Sequence, residues 1–260
     1  MGAVALLACL LLALAGDAHA QQSPLPDPPS AGQFLSRHNF HFVMAGLDDE
    51  DDRFSWDAHV GLDFDLVDYV VGRLSMLADY EVVMGNQLQP FDPNQGNYTL
   101  EGAASYRVGP TEFAAVLHHV SRHLGDRAKT QSVAMNVLGV RALRQFPLGS
   151  GTLDLRAEVG GIVEHAYVDY TWMGRVNLIA RQPVAPRVGV FGRVSGDIYG
   201  VNPTIAGRER QQGGRIEGGV RIAGRAAALE LFAGYERVVD ADPLDRKPRR
   251  WAFGGFRVVN

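Results

Sequence analysis

The feature that most constrains this chain is a two-residue hydrophobic period that recurs from Phe34 onward. Phe54, Trp56, Ala58, Val60, Leu62, Phe64 and Leu66 are apolar, with Ser55, Asp57, His59, Gly61, Asp63 and Asp65 between them. In an extended strand these two sets point to opposite faces. The pattern returns over 74–84, 98–108, 153–163, 188–194, 216–222 and 229–235. Weaker segments lie near 37–46, 112–123, 131–142, 172–181 and 250–259. Together they predict an all-β chain of about twelve strands, with no long stretch at helical spacing.

Strand length then selects the kind of β-fold. Strands in soluble domains usually run about five or six residues. Here most alternating runs reach about ten, as a tilted membrane strand requires. The apolar set is nearly free of charge. A closed antiparallel transmembrane β-barrel buries that set in lipid and leaves no unpaired strand edge. A large soluble barrel or two-sheet sandwich is the alternative. Trp56, Leu62, Tyr80, Leu100 and Val190 are expected on the lipid side.

The N-terminus fits an exported protein. An apolar run from Ala3 to Ala15 is followed by Ala18-His19-Ala20, a small-x-small cleavage pattern, so residues 1–20 are read as a signal peptide cut before Gln21. No Lys or Arg precedes the run. Leu6-Leu7-Ala8-Cys9 loosely fits a lipobox, but Cys9 lies in the middle of the run. Residues 21–33 hold Pro24, Pro26, Pro28 and Pro29 and read as a periplasmic leader to a barrel over 34–260. Cys9 is the only cysteine, which excludes a disulfide framework and Cys-based metal sites in the mature chain. A net charge of −4 argues against a nucleic-acid partner.

If the first strand rises from the periplasm, odd-numbered connections are extracellular loops and even-numbered ones short turns. The odd connections fall around 47–53, 86–97, 124–130, 164–171, 199–213 and 237–249. The even ones fall around 67–72, 109–110, 143–151, 182–187 and 223–227. The longest two, 199–213 and 237–249, are both odd. One feature departs from the pattern: outer-membrane chains often end on an aromatic residue, and this one ends in Val259-Asn260.

The fifth strand carries the sharpest motif, His118-His119-Val120-Ser121-Arg122-His123-Leu124-Gly125-Asp126. Alternation places His119, Ser121 and His123 on one face, with successive Cα atoms about 6.5 Å apart. A Ser beside a His is the minimum for an activated hydroxyl nucleophile. The short Gly109-Pro110 turn suggests the pairs Val108–Thr111, Arg107–Glu112 and Glu101–His118, two of which join opposite charges. That register turns His119, Ser121 and His123 outward, near the outer leaflet. A one-residue slip would turn them into the lumen. His118 then faces away from the other two histidines, which disfavours a metal site on the three; neither metal nor cofactor is expected.

Residues 79–126, with the His-x-Ser-x-His-Leu-Gly-Asp core, resemble an uncharacterised family of bacterial outer-membrane barrels. More distantly, His119-Val120-Ser121 is similar to the His-x-Ser of lipid A 3-O-deacylases, barrels with an outward-facing His/Ser/Glu triad. The resemblance implies Ser121 as nucleophile and His119 as general base. The deacylases take their Glu from the following strand, whereas residues 129–142 contain no Asp or Glu. Asp126 could orient a histidine instead, most plausibly His123.

Three functions remain open from sequence: a lipid A or lipopolysaccharide acyl-ester hydrolase, a non-enzymatic structural or adhesive barrel, and a small channel. Lipopolysaccharide and other outer-membrane lipids are the expected partners of a monomer. The acidic run Asp48-Asp49-Glu50-Asp51-Asp52 reads as a solvated loop tip or as a divalent-ion contact to lipopolysaccharide phosphates. Asn94 and Asn97 read either as turn residues or as substrate contacts beside strand five. The inward set mixes both signs (Asp57, Asp79, Glu101, Glu158, Arg193 and Arg221 among others), which favours a paired, mostly plugged interior over a selective pore.

Overall fold

The computed structural model describes residues 25, 27–125 and 131–260, with the backbone alone at residue 205. The expected signal peptide and its cleavage site lie outside the described residues, as does Asp126. Twelve strands follow in order: β1 (Gln33–Asp48), β2 (Trp56–Asp68), β3 (Arg73–Gly85), β4 (Asp92–Val108), β5 (Thr111–Leu124) and β6 (Val133–Leu148), then β7 (Gly151–Ala166), β8 (Tyr170–Ala185), β9 (Val188–Val201), β10 (Gln211–Ala223), β11 (Ala228–Asp242) and β12 (Lys247–Val259). Each pairs antiparallel with its sequence neighbours, and β1 pairs with β12 to close a barrel. A single helical turn, α1 (Pro203–Ala206), capped by Asn202, sits between β9 and β10.

The apolar set faces outward as expected. Leu62, Leu100 and Val190 are among many large apolar side chains exposed on the wall. Near the end that bears the longer loops, Trp56 packs on Phe91 at 5.1 Å and Tyr80 on Tyr98 at 4.5 Å between ring centroids. This matches the aromatic girdle found where an apolar belt meets a polar interface.

Ion pairs occupy much of the lumen. Near the short-turn end, Arg37 meets Asp65 at 3.0 Å, and Arg73 bridges Asp65 at 3.1 Å and Glu112 at 2.9 Å. Midway, Arg141 lies 2.6 Å from Glu101 and 2.8 Å from Glu158. On the far wall, Arg257 holds Glu217 at 2.9 Å and Glu230 at 2.7 Å. Buried charges persist only when paired and hydrogen-bonded in this way.

The connections are shorter than the sequence suggested. The segments 92–97, 143–148 and 182–185 belong to strands, and the expected loop 237–249 shrinks to 243–246 between β11 and β12. Beyond the apolar belt neither strand face needs to be apolar, so alternation fades while the hydrogen-bonded ladder continues. At the end of β11 the register shifts between Val238 and Asp242, and the chain bends across the mouth of the lumen. Arg122 of β5 donates to the carbonyl oxygens of Asp240 at 2.6 Å and Ala241 at 2.8 Å, and Gln95 of β4 also donates to Ala241. Strands on opposite sides of the barrel thus hold a cap in place.

The acidic first loop is no free tip. Asp49 and Asp51 accept from Arg249, Arg53 pairs with Asp51 at 2.8 Å and Asp242 at 2.6 Å, and Phe54 is buried against Trp251 at 5.6 Å. The Arg53 hydrogen bond and the nearby Arg249 hold the Asp51 carboxyl down at about 2, from an ordinary 3.8. A lowered carboxylate stabilises the fold fully above its unfolded value and loses that contribution as pH falls through its folded one. Acidification toward pH 2 is therefore expected to release the loop. Trp251 fluorescence, in a background with the other two tryptophans replaced by Phe, should report loss of the Phe54 stack. A signal unchanged down to pH 2 would contradict the loop's dependence on this pair.

Candidate functional site

The two-residue Gly109-Pro110 turn leaves β4 and β5 no slack, with Gly109 at a φ of +55° that suits glycine. The register is the expected one: Val108 pairs with Thr111, Arg107 with Glu112 and Glu101 with His118. His118 is buried in the lumen, its Nε2 3.7 Å from a Glu158 oxygen. His119, Ser121 and His123 therefore lie on the outward face, beside Leu117 (56% exposed) and Leu100 (53%). The three histidines do not converge on one point.

Ser121 pairs across the ladder with Tyr98, at the level of the aromatic girdle. Its Oγ lies 3.1 Å from His123 Nε2, and the His123 ring meets Tyr98 edge-on at 5.4 Å. His119 turns the other way, toward β6. Its Nδ1 is 2.8 Å from Asn136 Oδ1, and Asn136 Nδ2 donates to Glu164 Oε2 of β7 at 2.7 Å. These three residues are direct partners in adjacent strands, His119 opposite Asn136 and Asn136 opposite Glu164.

This row fixes a proton. Because the Asn136 amide nitrogen donates to a carboxylate, its oxygen is the end presented to His119, so His119 Nδ1 must carry the hydrogen. The Nε2 lone pair of His119 is then bare, the form a general base needs. A cavity of about 490 Å³ opens over the site, lined by His119, Ser121, His123, Gln131, Ser132 and Leu244.

Sequence reasoning placed Ser121, His119 and His123 on one face; the structure brings Ser121 and His123 into contact, while His119 shares the face and engages Asn136. The same reasoning missed Asn136 and Glu164. Asn136 was the visible signal, an amide followed by the apolar Leu138, Val140 and Ala142 of the outward set of β6. Glu164 was hidden, because alternation through Val159, Gly161 and Val163 assigns position 164 to the lumen. A register shift in the β6–β7 pairing, between Asn136 and Val137, re-phases the strand and turns Glu164 outward. Two other suggestions need correction. Asn94 and Asn97 belong to β4 and point inward, Asn94 donating to the Arg53 carbonyl and Asn97 to Glu81. Neither reaches the outward site.

No protein-family model and no curated protein sequence matches this chain. Solved structures share its architecture. An outer-membrane channel from Pseudomonas putida F1 aligns with a TM-score of 0.53 at 11% identity, over 92% of this chain and 99% of that one. The outer membrane phospholipase of Salmonella typhi, solved as a dimer with bound calcium, aligns with a TM-score of 0.52 at 9% identity, over 92% and 94%. At such identities the likeness concerns the fold alone, and that fold is the bacterial outer-membrane β-barrel.

Proposed function

We propose that this chain resides in the bacterial outer membrane and hydrolyses fatty-acyl esters of outer-leaflet lipids, with Ser121 as nucleophile and His119 as general base. The observation that carries the proposal is the cross-strand row His119–Asn136–Glu164 beside an outward-facing serine. A serine hydroxyl is a weak nucleophile until a positioned base takes its proton, and that base needs a third group to orient it. In the resting arrangement His123 holds the hydroxyl. Rotation of Ser121 between staggered side-chain wells turns its Oγ toward His119 on the same face.

The reaction then runs in two halves. Ser121 Oγ bonds to the ester carbonyl carbon as its proton passes to His119 Nε2. Asn136, backed by the Glu164 carboxylate, steadies the imidazolium that forms. The alcohol leaves with that proton, and water later cleaves the acyl-serine through the same histidine, releasing the fatty acid. The level of the site beside the Tyr80–Tyr98 pair supports acyl esters of lipid A or of glycerophospholipids as substrates, and one copy supplies every residue in the row, so a monomer suffices. That a barrel of this fold is a phospholipase supports lipid hydrolysis as chemistry the scaffold can host. The channel alternative has less support, because buried ion pairs occupy much of the lumen and a cap crosses its mouth.

The folded protein in mixed micelles, supplied separately with phospholipid and with lipid A, is expected to release fatty acid from one of them. Mass spectrometry of the products identifies which. Ser121→Ala should reduce release to background while retaining heat-modifiable mobility. Equal release by wild type and Ser121→Ala, or none by either, would remove the hydrolase proposal and leave the structural role.

A further inference from the structure

A second cluster lies inside the barrel, under the cap, and has no part in the outward site. Asp57 and His59 of β2, Glu81 of β3 and Asn97 of β4 line one cavity of about 340 Å³. His59 pairs directly with Glu81, and Glu81 with Asn97, across adjacent strands. Donor atoms of Asp57, His59 and Glu81 all fall within 4.8 Å of one another. His59 Nε2 lies 3.0 Å from Asp57 Oδ2 and 3.6 Å from Glu81 Oε1. Ligands of a tetrahedral zinc ion, each about 2.0–2.1 Å from the metal, stand about 3.3 Å apart, between those two values.

Two buried oxygens here lack a hydrogen-bond partner among the described residues. They are Asp57 Oδ1, in a residue 7% exposed, and Asn97 Oδ1, in a residue 8% exposed. Buried acceptors normally find a donor or a cation, so two such oxygens on one small cavity leave lone pairs available to a ligand there. The surroundings also suit a metal-bound histidine. His59 Nδ1 faces Asp79 Oδ1 at 3.4 Å, and the other Asp79 oxygen is 2.7 Å from His41 Nε2. A carboxylate on the far ring nitrogen fixes the tautomer and leaves Nε2 for a metal. Gly61 keeps this arrangement open, since a Cβ there would overlap both the His41 ring and the Asp79 carboxylate.

We propose that Asp57, His59, Glu81 and the Asn97 amide oxygen bind one divalent transition ion of the zinc type in the upper lumen, joining β2, β3 and β4 beneath the cap. One imidazole nitrogen with three oxygens suits zinc or manganese better than calcium, which takes oxygen ligands throughout. Binding displaces any proton from His59 Nε2 and leaves Nδ1–H directed at the Asp79 carboxylate.

The test uses the full folded chain in detergent, stripped with a chelator and then titrated with Zn²⁺ or with Co²⁺ as a visible probe. One equivalent should remain after gel filtration, with a Co²⁺ band of tetrahedral intensity and a raised unfolding temperature. The isosteric pair Asp57→Asn with Glu81→Gln should lose the ion, and Asp79→Asn should bind about 10- to 100-fold more weakly. A variant with His119→Ala and His123→Ala should bind as wild type does. Absence of a bound equivalent and of any Co²⁺ band in the wild type would overturn the proposal. So would binding that survives in the Asp57/Glu81 variant or disappears in the His119/His123 variant.

Discussion

His119→Ala is expected to lower lipid hydrolysis about 100- to 10,000-fold, the usual cost of losing a general base. His123→Ala should cost far less, because its 3.1 Å contact holds the resting hydroxyl and has no part in the proposed proton transfer. Asn136→Leu removes the acceptor that fixes the His119 tautomer. It should reduce kcat with little change in KM, the pattern of a residue that acts through another group. If His123→Ala abolishes turnover while His119→Ala spares it, the base has been misassigned and His123 takes its place. If none of the three changes turnover, the histidines are interfacial polar residues and nothing more.

The second large effect concerns stability. Arg141 is buried between Glu101 and Glu158, and all three are less than a tenth exposed. Removing one partner of a buried ion pair leaves the others uncompensated and typically costs about 3–5 kcal/mol. Arg141→Met should therefore lower the unfolding free energy of the barrel, measured by urea titration in micelles, by a margin of that size, with Arg156 at 3.2 Å from Glu101 softening the loss. Adding Glu158→Gln to the same variant should restore part of the stability, because Glu101 then keeps Arg156 as its partner and no second carboxylate is left without a cation. A single variant as stable as wild type would show that the network contributes little to holding the lumen together.

The fold was legible because two independent constraints coincide in this sequence. Alternation marks the wall, and the tight Gly109-Pro110 turn together with the pairs Arg107–Glu112 and Glu101–His118 favours one register for the strands it joins. Leu100, Leu117 and His118 could all be assigned a side of the wall from that turn and those two pairs. The site was legible only as far as strict alternation holds. His119, Ser121 and His123 share a strand and a parity. Asn136 required the β5–β6 register, which the long connection between those strands does not reveal. Glu164 required a shift that reverses parity, and no local residue type announces it. The cap at 238–242 escaped for a related reason: where a strand leaves the apolar belt its two faces meet similar solvents, and the period that identifies it vanishes.

The barrel wall is one residue thick, so Ser121 and Arg122, neighbours in the chain, belong to different solvents. Arg122 ties the inner cap, while Ser121 faces outward. For a hydrolase built this way the substrate arrives by lateral diffusion in a two-dimensional film, and the fatty acid departs through the same film. Only the hydrolytic water must come from above, through the loop-lined cavity. Turnover is then governed by how crowded the surrounding leaflet is and by which lipids compose it. The interior, relieved of any transport duty for the reaction, is left to serve as ballast and scaffold.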